Sequence, residues 1–332
     1  MSMNPAKKRV RIVSTGSYLP EKVLTNFDLE KMVDTTDEWI TTRTGIKRRH
    51  IAKESEATSD LVLQAALRAL KKAKLQASDL DVLIIGTVTP DTSYPSTACW
   101  VQRGLGIEGI PCFDLSAACS GFLYGLVLAE SLINAGTARR VLVAGSECLS
   151  KFLNWEDRNT CVLFGDGAGA VIVEASHDDS GILSFSWGAN GNYTDILVQP
   201  AGGSRMPPSE KTVMKKLHSV YMEGNKVFRW AVKYMSESAL DAVQKAGLKA
   251  DQISLFIPHQ ANIRIIESAS KYAGIPEEKT YVVIDRTANI SSATIPIALD
   301  MAIEEGRVQR GDNVLLTAFG GGLTWASIVL RW

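Results

Sequence analysis

"AALRALKKAKLQASDLDVLIIG" (residues 65–86) and "SALDAVQKAGLKADQISLFIPH" (residues 238–259) read as two copies of one unit. Without gaps, Ala66 meets Ala239, Leu67 meets Leu240, Ala69 meets Ala242 and Lys72 meets Lys245. Ala73, Leu75 and Ala77 then meet Ala246, Leu248 and Ala250. Each copy has an amphipathic helical pattern, a short loop carrying Asp, and a brief apolar run, as expected of a helix feeding a buried strand. The match continues where "CSGFLYGLVLAESLINAG" (119–136) lies beside "NISSATIPIALDMAIEEG" (289–306). Both patterns close on Gly, and each precedes another apolar strand, "RVLVAGSE" and "NVLLTAFGGG". Two linked stretches favour duplication over an accidental match of ordinary helix–strand units. The pattern predicts two α/β halves whose sheets are covered on both faces.

In this register Cys119 aligns with Asn289, each at a helix start, and His259 aligns with Gly86, each just past a buried strand. A pseudo-twofold arrangement would bring those ends together near the centre. The predicted boundaries are an N-terminal half at 9–175 and a C-terminal half at 237–332. Between them, 176–236 carries "WGANGNY", "QPAGGSRMPPSE" and the basic "KTVMKK", which read as hairpins and loops capping the same compact unit. The first residues, "MSMNPAKKR", read as a polar, irregular start.

Lys+Arg and Asp+Glu number 36 each, so the net charge gives no pull toward nucleic acid or a membrane, although a local basic patch for an acidic partner stays open. The longest apolar stretches, such as "GFLYGLVLA", stop short of membrane-spanning length. Five cysteines, an odd number with no CxxC pair and no secretory signal, predict free thiols in the cytoplasm.

"DLSAACSGFLYGL" sets Cys119 among small residues where a helix begins. Unpaired N–H groups at such an end favour thiolate over thiol, so Cys119 is a candidate nucleophile. Cys99, Cys112, Cys148 and Cys161 read as small buried hydrophobes. Of the four histidines, His259 in "LFIPHQANIRII" alone ends an apolar strand, while His50, His177 and His218 lie in polar or irregular surroundings. Asn289 in "RTANISSATIP" reads on its own as a helix N-cap. The glycines of "AFGGGLTW" let backbone N–H groups approach a ligand oxygen, or only bend the chain. "LFGDGAGAVIV" precedes a strand-like run rather than a helix, so it fails as a dinucleotide loop. No His/carboxylate set has metal-ligand spacing, and no metal is expected.

"AACSGF", "PHQAN", "NISSA", "FGDGAGA" and "FGGGLTW", present together and in order, resemble the β-ketoacyl-acyl-carrier-protein synthase III family of the thiolase superfamily, over roughly residues 9–332. The resemblance implies an α/β fold, the thiolase-like five-layered αβαβα arrangement of two duplicated halves, and a homodimer. It implies that Cys119 is acylated by a short acyl-CoA such as acetyl-CoA. Malonyl-acyl carrier protein then decarboxylates and condenses with the acyl group, in type II fatty-acid synthesis. His259 and Asn289 would complete the catalytic set, with an oxyanion hole from the Cys119 N–H and one of Gly320, Gly321 or Gly322. Trp39, Arg43, Arg158 and Asn225 match CoA-binding positions. Tyr94, Leu149, Leu163, Phe164, Leu197, Val220, Met222 and Phe228 are acyl-pocket candidates, with Tyr94 placed to close the partner's pocket. Arg264 and Lys271 match a basic patch for the carrier protein. CoA thioesters are substrates, and no cofactor is implied.

The sequence departs from the family where Ala288 replaces a usual Gly and Ile290 a usual Thr beside Asn289. The alternatives are a secondary-metabolism relative with another primer or acceptor, an acyltransferase or thioesterase needing no decarboxylation, and a silent acyl-CoA-binding protein. The joint presence of Cys119, His259 and Asn289 argues against the last two.

Overall fold

Both copies of the repeat form the helix and strand that their pattern predicts. In the computed structural model, which describes residues 9–332, helix Thr58–Ala73 feeds strand Val82–Gly86, and helix Gly224–Lys245 feeds strand Leu255–Pro258. The polar start, residues 1–8 of "MSMNPAKKR", lies outside the described residues.

One sheet runs, in spatial order, Val10–Tyr18, Asp166–Ala175, Arg140–Cys148, Val82–Gly86 and Cys112–Leu115. The other repeats the order as Gly181–Ala189, Thr324–Arg331, Asn313–Gly320 and Leu255–Pro258. In both, the first two pairings are antiparallel and the third is parallel. The fifth strand survives in the second half only as a single bridge between Phe256 and Thr280.

Helices Gly121–Asn134 and Thr294–Glu304 lie between the sheets and touch both. Thr58–Ala73 covers the outer face of the first sheet, and Gly224–Lys245 that of the second. The five layers follow from strands that are apolar on both faces. In Val82–Gly86, Val82 and Ile84 join the inner core with Phe122, Leu126 and Ile295. Leu83 and Ile85 pack outward under Leu61, Ala65 and Ala69. Among the described residues, no helix is long and apolar enough to cross a membrane.

The reading of 176–236 as capping hairpins and loops is corrected at two places. Gly181–Ala189 is a full strand paired with Thr324–Arg331, and Gly224–Lys245 begins inside the stretch. The signal was masked because Gly181–Ala189 faces partly outward and carries Ser and Gly between its apolar residues.

Asp300 ties the inner layer to the first half from a nearly buried position on the second inner helix. Its carboxylate accepts bonds from Thr15 Oγ1 (2.5 Å), Ser17 Oγ (2.7 Å) and Lys72 Nζ (2.6 Å). Asp300→Ala would leave buried donors without an acceptor. It is expected to cost about 3 kcal/mol, read as a lower urea midpoint at unchanged slope.

Candidate active site

Cys119 sits in a short 3-10 turn, Ala118–Ser120, that leads into helix Gly121–Asn134. Strand Asn313–Gly320 ends directly against it. A Cβ on Gly320 would lie 2.5 Å from the Cys119 nitrogen, so only glycine permits this approach. His259 follows strand Leu255–Pro258, where its N–H donates to the Thr317 carbonyl at 2.7 Å. The next residue, Gln260, pins the loop. It donates to the Pro258 and Tyr281 carbonyls and accepts from the N–H groups of Val283 and Ile284.

The His259 ring is buried and neutral, because desolvation pushes its pKa down to about 3. Its Nδ1 lies 2.6 Å from Thr294 Oγ1, while the same oxygen is 3.1 Å from the Ser291 carbonyl. The Thr294 hydroxyl donates to that carbonyl, and Nδ1 is occupied by the same oxygen.

Asn289 Oδ1 accepts from the Ser291 N–H at 2.8 Å, which leaves the Nδ2 amide as a donor. Its backbone is clamped to Leu163 and Gly165 at 3.0 Å each. The N-cap expectation for Asn289 is corrected: Ile290 and Ala293 occupy the N-cap positions of the turn and helix that follow, and the Asn289 side chain instead closes a local turn onto the Ser291 N–H.

Cys119, His259 and Asn289 all line one cavity of about 420 Å³. Trp39, Arg43, Asn225 and Arg264 line it too. Arg158 does not line it but reaches the same ring. Its guanidinium carbon is 5.1 Å from the Trp39 centroid, and that of Arg43 is 4.7 Å away. Two cations thus frame one indole. Lys271 borders a separate groove with Ile263, Ile266 and Glu267, away from this cavity.

A smaller pocket of about 140 Å³ also reaches Cys119 and is bordered by Leu149, Phe164, Leu197 and Val220. Of the other acyl-pocket candidates, Leu163, Met222 and Phe228 line the larger cavity, which also reaches Cys119, and not this pocket. Tyr94 lines neither and is 87% exposed. Val88, Thr89 and Ser291 were missed as walls of the small pocket. Their side chains are too ordinary for the sequence to single out. Of the three consecutive glycines, Gly321 borders this pocket together with Cys119.

The expected low thiol pKa is also corrected. Burial pushes the Cys119 thiol up to about 12, the Glu147 carboxylate adds to that, and Ser291 opposes it. A helix end does not offset full desolvation, and the resting sulfur carries its proton.

The duplicated five-layered fold, with a cysteine, a histidine and an asparagine converging from its two halves, defines a thiolase-type condensing enzyme. Residues 113–191 match the family model for 3-oxoacyl-[acyl-carrier-protein] synthase III, and residues 243–332 match the model for its C-terminal part. A β-ketoacyl-[acyl-carrier-protein] synthase III from Caldanaerobacter subterraneus is 54% identical, over 97% of each chain. One from Clostridioides difficile is 51% identical, over 97% of this chain and 98% of the relative. The crystal structure of 3-oxoacyl-[acyl-carrier-protein] synthase III from Aquifex aeolicus superposes with a TM-score of 0.90 at 50% identity, covering 97% of this chain and 100% of that one. This chain belongs to the β-ketoacyl-acyl-carrier-protein synthase III family.

Ala288, where the family usually has glycine, is fully buried and adopts φ 59°, ψ −166°. That region is close to glycine-only, and holding an alanine there costs of order 1–3 kcal/mol. Ala288→Gly is expected to stabilise the protein by about 1 kcal/mol after glycine's entropic cost, read as a raised urea midpoint.

Proposed function

We propose that the chain catalyses the initiating condensation of fatty-acid synthesis, joining a short acyl-CoA to malonyl-acyl carrier protein. The observation that carries this reading is the convergence of one thiol, one neutral imidazole and the Asn289 Nδ2 donor in one cavity, and the reading takes the His259 ring with its proton on Nε2. Cys119 sulfur attacks the thioester carbonyl, CoA leaves, and an acyl-cysteine remains. The oxyanion of that step is met by the N–H of Cys119 and that of Gly321, the glycine that shares the acyl pocket.

Malonyl thioester then enters the same cavity. Loss of CO2 places negative charge on its carbonyl oxygen, where His259 and Asn289 donate. A neutral imidazole suits this role, because it stabilises developing charge without surrendering its proton. The carbanion attacks the acyl-cysteine, releases the Cys119 sulfur, and yields 3-oxoacyl-acyl carrier protein. CoA thioesters act as substrates, and the reading assigns no separate cofactor.

Trp39 framed by Arg43 and Arg158 suits an adenine ring with its phosphates, and Asn225 lies along the path inward. Arg264 at the mouth and Lys271 on the same helix, Ile263–Ala273, suit an acidic carrier protein. The reading includes a homodimer. Tyr94, exposed and outside its own chain's pocket, is available to a second copy. A reducing cytoplasmic location fits five free cysteines.

An apolar cavity of roughly 150 Å³ takes a benzene-sized ligand. The pocket beside Cys119, about 140 Å³, therefore fits an acyl chain of a few carbons. Intact-protein mass spectrometry with an acyl-CoA series should show Cys119-dependent acylation by acetyl- and butyryl-CoA that falls away with long chains. His259→Ala and Asn289→Ala should keep that acylation and lose condensation by roughly 10²–10³-fold each, as measured when a transition-state donor is removed. Acylation that persists in Cys119→Ala, or condensation that survives both donor variants, would refute the reading. Lys271→Glu is expected to raise KM for malonyl-acyl carrier protein several-fold, more at low salt, with acylation by acyl-CoA unchanged.

A further inference from the structure

A buried thiol with its pKa pushed up to about 12 must lose its proton before it can attack. His259 does not serve: its Nδ1 is occupied by Thr294, and the condensation proposed above takes its Nε2 as a donor. A second buried group stands beside the sulfur. Glu147, on strand Arg140–Cys148, is fully buried near Cys119. Its carboxylate accepts from the Val88 N–H (3.1 Å), the Thr89 N–H (3.1 Å), Thr89 Oγ1 (2.7 Å) and Thr87 Oγ1 (3.1 Å). Ser291 Oγ, also buried, belongs to a residue that lines the same small pocket as Cys119 and Thr89, and it favours the ionised form of both the thiol and this carboxyl. In the resting geometry it makes no hydrogen bond, so its proton and lone pairs are uncommitted. The titratable groups facing Glu147 are the Cys119 thiol from the nucleophile turn and the Cys148 thiol from its own strand. Asp166, opposite Cys148 on the neighbouring strand, has its carboxyl occupied by Ser150 and the Ala52 N–H.

We propose that Glu147 is the proton acceptor for Cys119, reached through the Ser291 hydroxyl. The inference rests on the reading of Cys119 as the acylated nucleophile. As the sulfur attacks the thioester carbon, its proton passes to Ser291 Oγ and the Ser291 proton passes to the Glu147 carboxylate. When the tetrahedral intermediate collapses, the bond from carbon to the CoA sulfur breaks. The proton then returns by the same route to the departing thiolate. CoA leaves as a thiol, Glu147 is again a carboxylate, and nothing is oxidised or reduced. Burial raises the Glu147 pKa to about 7 against the pull of its donors. A group titrating there can both accept and return a proton at neutral pH.

The competing role for Glu147 is a brace for the 87–89 turn whose charge only opposes thiolate formation. The two roles predict opposite signs. The test is the rate of Cys119 acylation by acetyl-CoA, followed by intact mass between about pH 5.5 and 9, a range that spans a general base titrating near neutrality. The wild type should show a rise centred near pH 7. Glu147→Gln keeps an acceptor for the turn but no base, and should abolish that inflection and slow acylation about 10²-fold, the lower end for a general base. Ser291→Ala leaves all four bonds to Glu147 in place and should slow acylation comparably, and the double variant should be no worse than either single one.

Faster acylation in Glu147→Gln would make the carboxylate a brake and overturn the relay. Wild-type acylation in Ser291→Ala would overturn it whatever Glu147→Gln does, including failure to fold. A wild type that is not acylated at Cys119 would instead refute the function on which the inference rests.

Discussion

The two inner helices start against each other at the pseudo-twofold centre, and the rest of the molecule is arranged around that contact. A Cβ at Gly86 would fall 2.7 Å from the Gly121 carbonyl carbon, and one at Gly121 would fall 3.0 Å from Ser292 Oγ. A Cβ at Gly145 would come within 2.7 Å of the Ser292 carbonyl carbon. Three glycines of the first half thus admit a serine of the second. Such density leaves no room for side chains at the centre itself. The residues one turn away, Cys119 on one side and Asn289 on the other, are therefore aimed together into the same cavity. His259 completes the set because its strand is the counterpart of the one ending at Gly86. One copy of the strand end carries the packing and the other carries the imidazole.

This division of labour explains what the sequence reveals. The duplicated register alone placed Cys119 with Asn289 and His259 with Gly86, and the strand order of the two sheets repeats accordingly. Helical periods were legible because the outer helices Thr58–Ala73 and Gly224–Lys245 are amphipathic, and the strands because Val82–Gly86 and Leu255–Pro258 are buried along their whole length. The first strand of the second half, Gly181–Ala189, was not legible: only its first residues are buried, and its partner lies more than a hundred residues downstream. Non-local pairing of that kind leaves little local pattern to read.

The acyl pocket was the least legible part. Leu163, Phe164 and Leu197 follow one another around the site, yet Leu163 faces only the larger cavity while Phe164 and Leu197 border both. Apolar residues separate the two spaces by a single side-chain layer, and composition cannot say which face each presents. Thr89 and Ser291 escaped notice for a different reason. Their importance comes from Glu147, a buried carboxyl whose neighbours appear only once the sheet brings the 87–89 turn beside it.

Desolvation then sets the charge state of everything around the sulfur. It pushes the imidazole of His259 down and the thiol of Cys119 and the carboxyl of Glu147 up, so each group is driven toward its neutral form. The helix-dipole argument, which treats Cys119 as if it were exposed, gets the sign wrong because burial outweighs a partial charge at a helix end. A neutral resting site has a chemical consequence. At the reacting carbonyl, negative charge appears only when a thioester supplies an oxygen to receive it, and the Asn289 donor is already in place when it does. With the Cys119 thiol pushed up to about 12 by burial, proton removal becomes a step of the reaction rather than a property of the free enzyme.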